Sequence, residues 1–275
     1  MPELPEVETI RRGLEDVLVG REFLGAEVLW GKSLVCEGVD VDDLRGCEVL
    51  AVERRGKFLV MRFSSGFVVT VHLRMSGRLI AEEDGGELPF ERVRMRFSGG
   101  LNLKFCDMRK FGRVWVSSAE EYEKLTGIWK LGPEPLLGDV GAEVFEGKRG
   151  AVKKVLLDQT VLAGVGNIYA DEACFYAGVR PDARMEKLSR GQLEKLFEGV
   201  VVALKQGIRN RGTSISDFED AFGGKGKNQE LLYVYGRGGK ECLKCGGVLE
   251  RGKVAGRTTV WCEVCQGEVQ GKLEF

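Results

Sequence analysis

The chain is short of several things that would settle its class quickly. Its 275 residues include one histidine, six prolines and a formal net charge of −1. No apolar run approaches the roughly 18 residues that a membrane-spanning helix needs. The first residues carry prolines and acids where an export signal carries a basic stretch and an apolar core, so they do not read as a signal peptide. There is no internal repeat and no long low-complexity segment. A net charge near zero removes the simplest argument for a nucleic-acid partner and leaves only local charge to weigh. What remains is an ordinary globular composition, 43% hydrophobic and 30% charged. It is long enough for two domains, and the chain reads as cytoplasmic.

The N-terminus, Met1-Pro2-Glu3-Leu4-Pro5-Glu6-Val7-Glu8-Thr9, is distinctive. Loss of Met1 would make Pro2 a free secondary amine with Glu3 beside it, able to form an iminium with an aldehyde. An α-amino group titrates near pH 8, against about 10.4 for lysine, so far more of it is neutral at pH 7. The same prolines and acids also suit the first turn of a helix. These residues alone leave both readings open.

Helical spacing of Val7, Ile10, Leu14 and Leu18 predicts a helix over Glu6–Leu18. Short segments rich in Val, Leu and Phe follow, at Phe23–Trp30, Glu48–Glu53, Phe58–Phe63, Phe67–Val71, Val93–Phe97, Leu101–Phe105 and Arg113–Val116. Their spacing predicts a β-sandwich or barrel-like domain. Glu82–Pro89 reads as an exposed acidic loop. From Ala119 the pattern turns helical, with Gly132-Pro133-Glu134-Pro135 as an interdomain linker. Helices are expected over Gly150–Leu157, Ile168–Ala177 and Leu188–Ile208. Arg211–Gln229 is Gly- and Ser-rich, charged and expected to be mobile.

Basic clusters stand at Arg54-Arg55-Gly56-Lys57, from Lys104 to Arg113, and at Lys148-Arg149 with Lys153-Lys154. Each alone is usually a solvated face. Cys36, Cys47, Cys106 and Cys174 are expected to be buried, reduced thiols. Cys242-Leu-Lys-Cys245 and Cys262-Glu-Val-Cys265 differ, being two C-x-x-C pairs with sixteen residues between them. Each pair forms one edge of a tetrahedron, and two facing pairs make a closed, structural zinc site with four cysteine ligands. The hairpin between them carries Arg251, Lys253 and Arg257. Gly164-Val-Gly-Asn167 runs into a helix, where an Asn cap and free amides would suit a phosphate or an ordinary core helix equally. Alone, Lys57 is a solvated lysine, the single histidine, His72, is structural, and Met75 and Phe111 are core filler.

In order and setting, these residues resemble one family, the formamidopyrimidine-DNA glycosylases, bacterial repair enzymes for oxidised purines. The resemblance spans nearly the whole chain. It rests on the N-terminal motif, Arg55-Gly-Lys57, His72-Leu-Arg-Met-Ser-Gly77 and Asp107-Met-Arg-Lys-Phe-Gly112. Further matches are Leu131-Gly-Pro-Glu-Pro-Leu136, Leu156-Leu-Asp-Gln159, Gly164-Val-Gly-Asn-Ile-Tyr-Ala170, Tyr233-Val-Tyr-Gly-Arg237 and the cysteine pairs. It implies an α+β fold in three parts. These are a catalytic helix and β-sandwich over 1–131, a helix–two-turn–helix domain with a base-closing loop over 132–230, and a zinc finger over 231–275.

The resemblance also implies roles. Pro2 would be the nucleophile, Glu3 the acid/base, and Lys57 a group for proton transfer and phosphate contact. Arg257 would bind phosphate and assist δ-elimination. Met75, Arg109 and Phe111 would fill the void left by an extruded base, since such chemistry requires the base to leave the stack. Lys153 and Asn167 would grip phosphates, with His72 and Lys148 also on the DNA side. The implied cofactor is one structural Zn²⁺ and the implied partner is damaged double-stranded DNA, bound by a monomer. Two departures stand out. Phe90-Glu-Arg92 occupies the place of a family His-x-His pair, with Arg92 as a possible substitute for a lost phosphate contact. The closing loop matches poorly residue by residue. The rivals are an endonuclease VIII-type glycosylase for oxidised pyrimidines, a non-catalytic damaged-DNA binder, and a zinc-ribbon factor that explains only the tail.

Overall fold

The computed structural model describes residues 1–83, 85–138, 140–215 and 218–267. Parts of three sequence-based expectations fall outside these residues: position 84 of the acidic loop, 216–217 of the Gly/Ser-rich segment, and 268–275 of the zinc-finger range. The chain forms two compact units. One comprises Met1–Lys130 with Gly207–Gln229, the other Leu131–Gln206 with the chain from Glu230 onward. No helix among the described residues is long and apolar enough to cross a membrane.

The first unit opens with α1 (Leu4–Leu18), where Glu3 at the N-cap and Glu6 form a capping box. Its buried face is Val7, Ile10, Leu14 and Leu18, the three-and-four spacing read from the sequence. Nine strands follow: β1 (Phe23–Val28), β2 (Leu34–Cys36), β3 (Val49–Arg55), β4 (Phe58–Phe63), β5 (Phe67–His72), β6 (Gly77–Glu82), β7 (Glu91–Phe97), β8 (Asn102–Asp107) and β9 (Arg113–Ser118). They form a four-stranded sheet, β1-β7-β8-β6, and a five-stranded sheet, β2-β9-β5-β4-β3. Among the described residues, only β2 and β9 pair in parallel. Phe23 joins the sheets by edge-on contacts with Phe63 of one and Phe97 of the other, at 6.1 and 5.6 Å between ring centroids. Val7, Ile10 and Leu14 of α1 enter the same core as Val52, Met61, Val69, Val93, Met95 and Phe105. A short helix, α2 (Tyr122–Thr126), closes this stretch of chain.

The Gly/Ser-rich segment, placed with the helical domain in the sequence reading, groups with the sandwich instead. The reason is packing: Phe218 and Ala221 join the sandwich core, and the Ala81 amide donates to the Ala221 carbonyl at 2.7 Å. Among the described residues, its polar groups are bonded too, with Asn228 Nδ2 donating to Thr213 Oγ1 at 2.9 Å.

The second unit contains α3 (Val152–Leu156), α4 (Asn167–Ala177) and most of α5 (Arg190–Arg209), then a hairpin of β10 (Leu249–Val254) and β11 (Arg257–Cys262). The hairpin turn uses two left-handed residues, Ala255 (φ 50°) and Gly256 (φ 72°). That conformation matches the right-handed twist of the paired strands.

Candidate functional site

In the first unit, Pro2 is buried beneath an exposed Met1, and Glu3 is 2% exposed. The Glu3 amide donates to Glu6 Oε2 at 2.8 Å, and the Thr213 amide donates to Glu6 Oε1 at 2.8 Å. Glu6 therefore ties the start of α1 to the 207–229 segment. Gly226 packs so tightly there that an added Cβ would meet the Gly212 carbonyl oxygen at 2.1 Å. In the sequence Glu6 reads only as a helix-start acid, and nothing local to it signals its distant partner.

Lys57 is buried in the turn between β3 and β4. In register with this turn, Phe58 pairs with His72 across β4–β5, and their rings meet edge-on at 4.5 Å. Burial, then the charges of Arg74 and Lys57, press the His72 pKa down to about 3. His72 Nδ1 accepts from the Arg74 amide at 2.9 Å, so the neutral ring carries its proton on Nε2. Nearby, Glu8 gathers Arg11, Arg12 and Arg54. Burial acts to raise its pKa, but the three guanidiniums outweigh burial and hold it below the usual carboxylate range.

Met75, Arg109 and Phe111 sit on two turns that share one brace. Asp107, 1% exposed, accepts from Ser76 Oγ at 2.6 Å, from the Arg109 amide at 3.1 Å and from the Gly112 amide at 2.7 Å. Both turns need glycine for space. A Cβ on Gly77 would lie 2.4 Å from the Leu73 carbonyl oxygen, and one on Gly112 would lie 2.6 Å from the Phe105 ring. The result is exposed apolar side chains on held backbones: Met75 is 42% exposed and Phe111 52%. The Arg109 guanidinium lies 5.1 Å over the Phe111 ring, and Lys110 stacks on Trp30 at 3.8 Å. Ser76 and Asp107 fall within the family motifs, but nothing local in the sequence gives them this bracing role. Arg92 Nε donates to the Asp107 carbonyl at 2.9 Å. Phe90 is exposed at a positive φ of 63°.

The basic clusters divide between surface and interior. Lys148 and Arg149 are exposed, but Lys104 is fully buried and pairs with Glu82 and the Gly86 carbonyl. Among the scattered thiols, Cys106 and Cys174 are buried as expected, whereas Cys47 is half-buried and Cys36 is exposed. Cys36 ends a three-residue edge strand with only β9 beside it, which leaves it open.

In the second unit, Asn167 is the first residue of α4 rather than its cap, which is Gly166. Its Nδ2 donates to the Thr258 carbonyl at 3.3 Å. Lys153, which the resemblance implies as a phosphate contact, is fully buried. Its ammonium ion-pairs with Asp171 at 2.7 Å and donates to Thr259 Oγ1 and the Thr258 carbonyl at 2.8 and 3.0 Å. Burial pushes Asp171 up to about 7, with Lys153 opposing. The adjacent Glu172 accepts the amides of Tyr233, Val234 and Tyr235 at 2.8–2.9 Å. Two acids in an otherwise apolar helix were the available signal for both tethers. Arg257 is exposed beside the hairpin turn.

The sulfurs of Cys242, Cys245, Cys262 and Cys265 all lie within 4.8 Å of one another. A tetrathiolate ion with metal–sulfur bonds of about 2.3 Å needs sulfurs about 3.8 Å apart. Cys242–Cys265 at 3.9 Å and Cys245–Cys262 at 3.4 Å lie on either side of that spacing. Gln266 supports the knuckle, accepting from the Cys262 amide at 2.8 Å and donating to the Val179 carbonyl at 2.9 Å.

Comparison with known proteins gives this arrangement its family. Residues 1–114 match the formamidopyrimidine-DNA glycosylase N-terminal domain, and residues 131–219 match the H2TH domain of the same enzymes. A formamidopyrimidine-DNA glycosylase of Desulfitobacterium hafniense is 40% identical over 275 residues, covering 97% of this chain and 100% of the relative. One from Moorella thermoacetica is 42% identical over 258 residues, covering 91% and 94%. Lactococcus lactis Fpg, solved in complex with DNA containing an abasic site, superposes with a TM-score of 0.88 at 33% identity, covering 97% of this chain and 100% of that one. A complex of the same protein with Fapy-dG-containing DNA also superposes at 0.88. The chain belongs to the formamidopyrimidine-DNA glycosylase family, the DNA glycosylases of base-excision repair.

Proposed function

We propose that this chain excises oxidised purines, 8-oxoguanine and formamidopyrimidines among them, and then cuts the strand as a β,δ-lyase. The observation that carries this reading is the buried Pro2 at the head of α1, followed directly by Glu3, whose amide donates to Glu6. Once Met1 is removed, the Pro2 amine attacks C1′ of the damaged nucleotide and the C1′–base bond breaks. The ring-opened sugar forms an iminium with Pro2, which acidifies the C2′ proton. Loss of that proton expels the 3′ phosphate, and a second elimination expels the 5′ phosphate. Glu3 serves as acid/base, and Lys57 moves protons and meets phosphate. Met75, Arg109 and Phe111 occupy the gap in the duplex, a role supported by their exposure on braced turns. Arg257 meets phosphate and assists the second elimination; Asn167, Lys148 and His72 belong to the DNA-binding side. Phosphate contacts, not net charge, would supply most of the affinity.

The metal proposed for the four cysteines is zinc. All four positions are thiolates, so the site is closed and contributes folding energy rather than chemistry. The chain acts as a cytoplasmic monomer on damaged duplex DNA. Borohydride added during turnover should trap a covalent adduct on 8-oxoguanine duplex, and intact mass should show it on a chain lacking Met1. Pro2→Gly should cut trapping and strand cleavage by at least tenfold, on the order of 1.4 kcal/mol of transition-state stabilisation. Preferential trapping on thymine-glycol duplex would reassign the chain to pyrimidine lesions, and binding without trapping would make it a damage binder.

A further inference from the structure

The ammonium of Lys153 has three donors, and three oxygens already surround it: Asp171 Oδ1, Thr259 Oγ1 and the Thr258 carbonyl, at 2.7–3.0 Å. The side chain is fully buried. A phosphate could reach it only by displacing one of these partners and entering the interior with its charge, which is costly. All three partners belong to two elements, α4 and β11. Thr259 Oγ1 in turn donates to the Arg257 carbonyl at 3.0 Å. Asn167 Nδ2 reaches the same Thr258 carbonyl as Lys153, and the Val260 amide donates to Asp171 Oδ2 at 3.3 Å. The backbone from Arg257 to Val260 is therefore held by α3 and α4 along one side, while Arg257 itself stays exposed.

We propose that Lys153 is a positioning residue: it fixes the β11 backbone that presents Arg257, and it makes no phosphate contact of its own. The hydrogen-bond path runs from the ammonium through the Thr259 hydroxyl to the Arg257 carbonyl. Just after the left-handed turn, this path sets the direction in which the arginine leaves the hairpin. The functional part of the inference rests on the reading of Arg257 given above.

The test uses the full-length, zinc-loaded protein. Lys153→Met removes the tether, and Lys153→Met with Asp171→Asn removes both charges, so that no carboxylate is stranded in the interior. Amide hydrogen exchange at Arg257–Val260 should quicken by roughly tenfold or more in both variants, with Cys262–Gln266 unchanged, as for local opening. The slope of log Kobs against log salt should stay at the wild-type value, because a lost phosphate contact would lower it by about one. On abasic DNA the ratio of δ- to β-elimination product should fall as it does in Arg257→Ala, with no further fall when the substitutions are combined. A slope reduced by about one, or unchanged exchange at Arg257–Val260, overturns the proposal. If Arg257→Ala leaves the product ratio untouched, the reading of Arg257 fails, while exchange and salt slope still decide Lys153.

Discussion

His72 shows how much of the site's electrostatics depends on what surrounds a single ring. Burial acts first and the cations Arg74 and Lys57 second, all in the same direction, and the pKa falls to about 3. In the unfolded chain the imidazole titrates near 6.5. The depressed value therefore contributes stability that is fully present above about pH 6.5 and is lost as pH falls toward 3. As the only histidine, its ring proton resonances can be followed without overlap. They should not titrate between pH 8 and 5, and a midpoint near 6.5 would contradict the buried, neutral ring. Gly112 offers a second test. Gly112→Ala sets a methyl against the fully buried Phe105 ring, and overpacking of this kind costs about 1–3 kcal/mol. A lower Tm is expected, with weaker lesion binding because the Arg109–Phe111 turn shifts. At this scale the sequence was half legible. Pro2, Lys57 and Met75 could be singled out because their motifs are contiguous. Asp107, Glu6 and Asp171 act through partners 31, 207 and 89 positions away, and no local pattern carries such a distance.

Among the elements, spacing predicted those whose side chains alternate cleanly. In β7 buried and open positions alternate along the strand, and α1 repeats at three and four. β6 carries no such signal, because Leu79-Ile80-Ala81 is buried on successive positions and follows directly on a Gly-containing turn. Charge was the less reliable guide. Lys104 and Lys153 stand in basic clusters, yet both side chains are fully buried and paired with acids. The cysteine hairpin was the most legible element, because ligand spacing is a local property. With zinc held by the four cysteines as proposed, stripping it should unfold the hairpin. In finger peptides structural zinc supplies on the order of 10 kcal/mol of folding energy. Chelation should therefore abolish protection of the β10–β11 amides, and DNA affinity should fall with it. Metal quantification should return one zinc per chain, and hairpin amides that stay protected after metal loss would contradict this account.

For the whole molecule, the division into units differs from the order of the chain. The sandwich draws Phe218 and Ala221 into its core from a stretch that follows residues 131–206 of the second unit in sequence. A fragment ending at Lys130 should therefore be loosely packed, binding hydrophobic dyes and exchanging its amides quickly. Joining residues 207–229 to it through a flexible Gly/Ser linker should restore cooperative melting. A 1–130 fragment that melts as sharply as the joined form would show the returning segment to be dispensable.

The bond from Thr213 to Glu6 also has a meaning in time. Synthesis proceeds from the N-terminus, and domains fold as they emerge. Glu6 is made long before residues 207–229, so its bonds are completed only after residues 131–206 of the second unit have been made. A chain released before residue 213 thus carries Glu6 without the Thr213 amide that bonds it. The head of α1 is thus completed late in translation, after the stretch that carries α3 and α4.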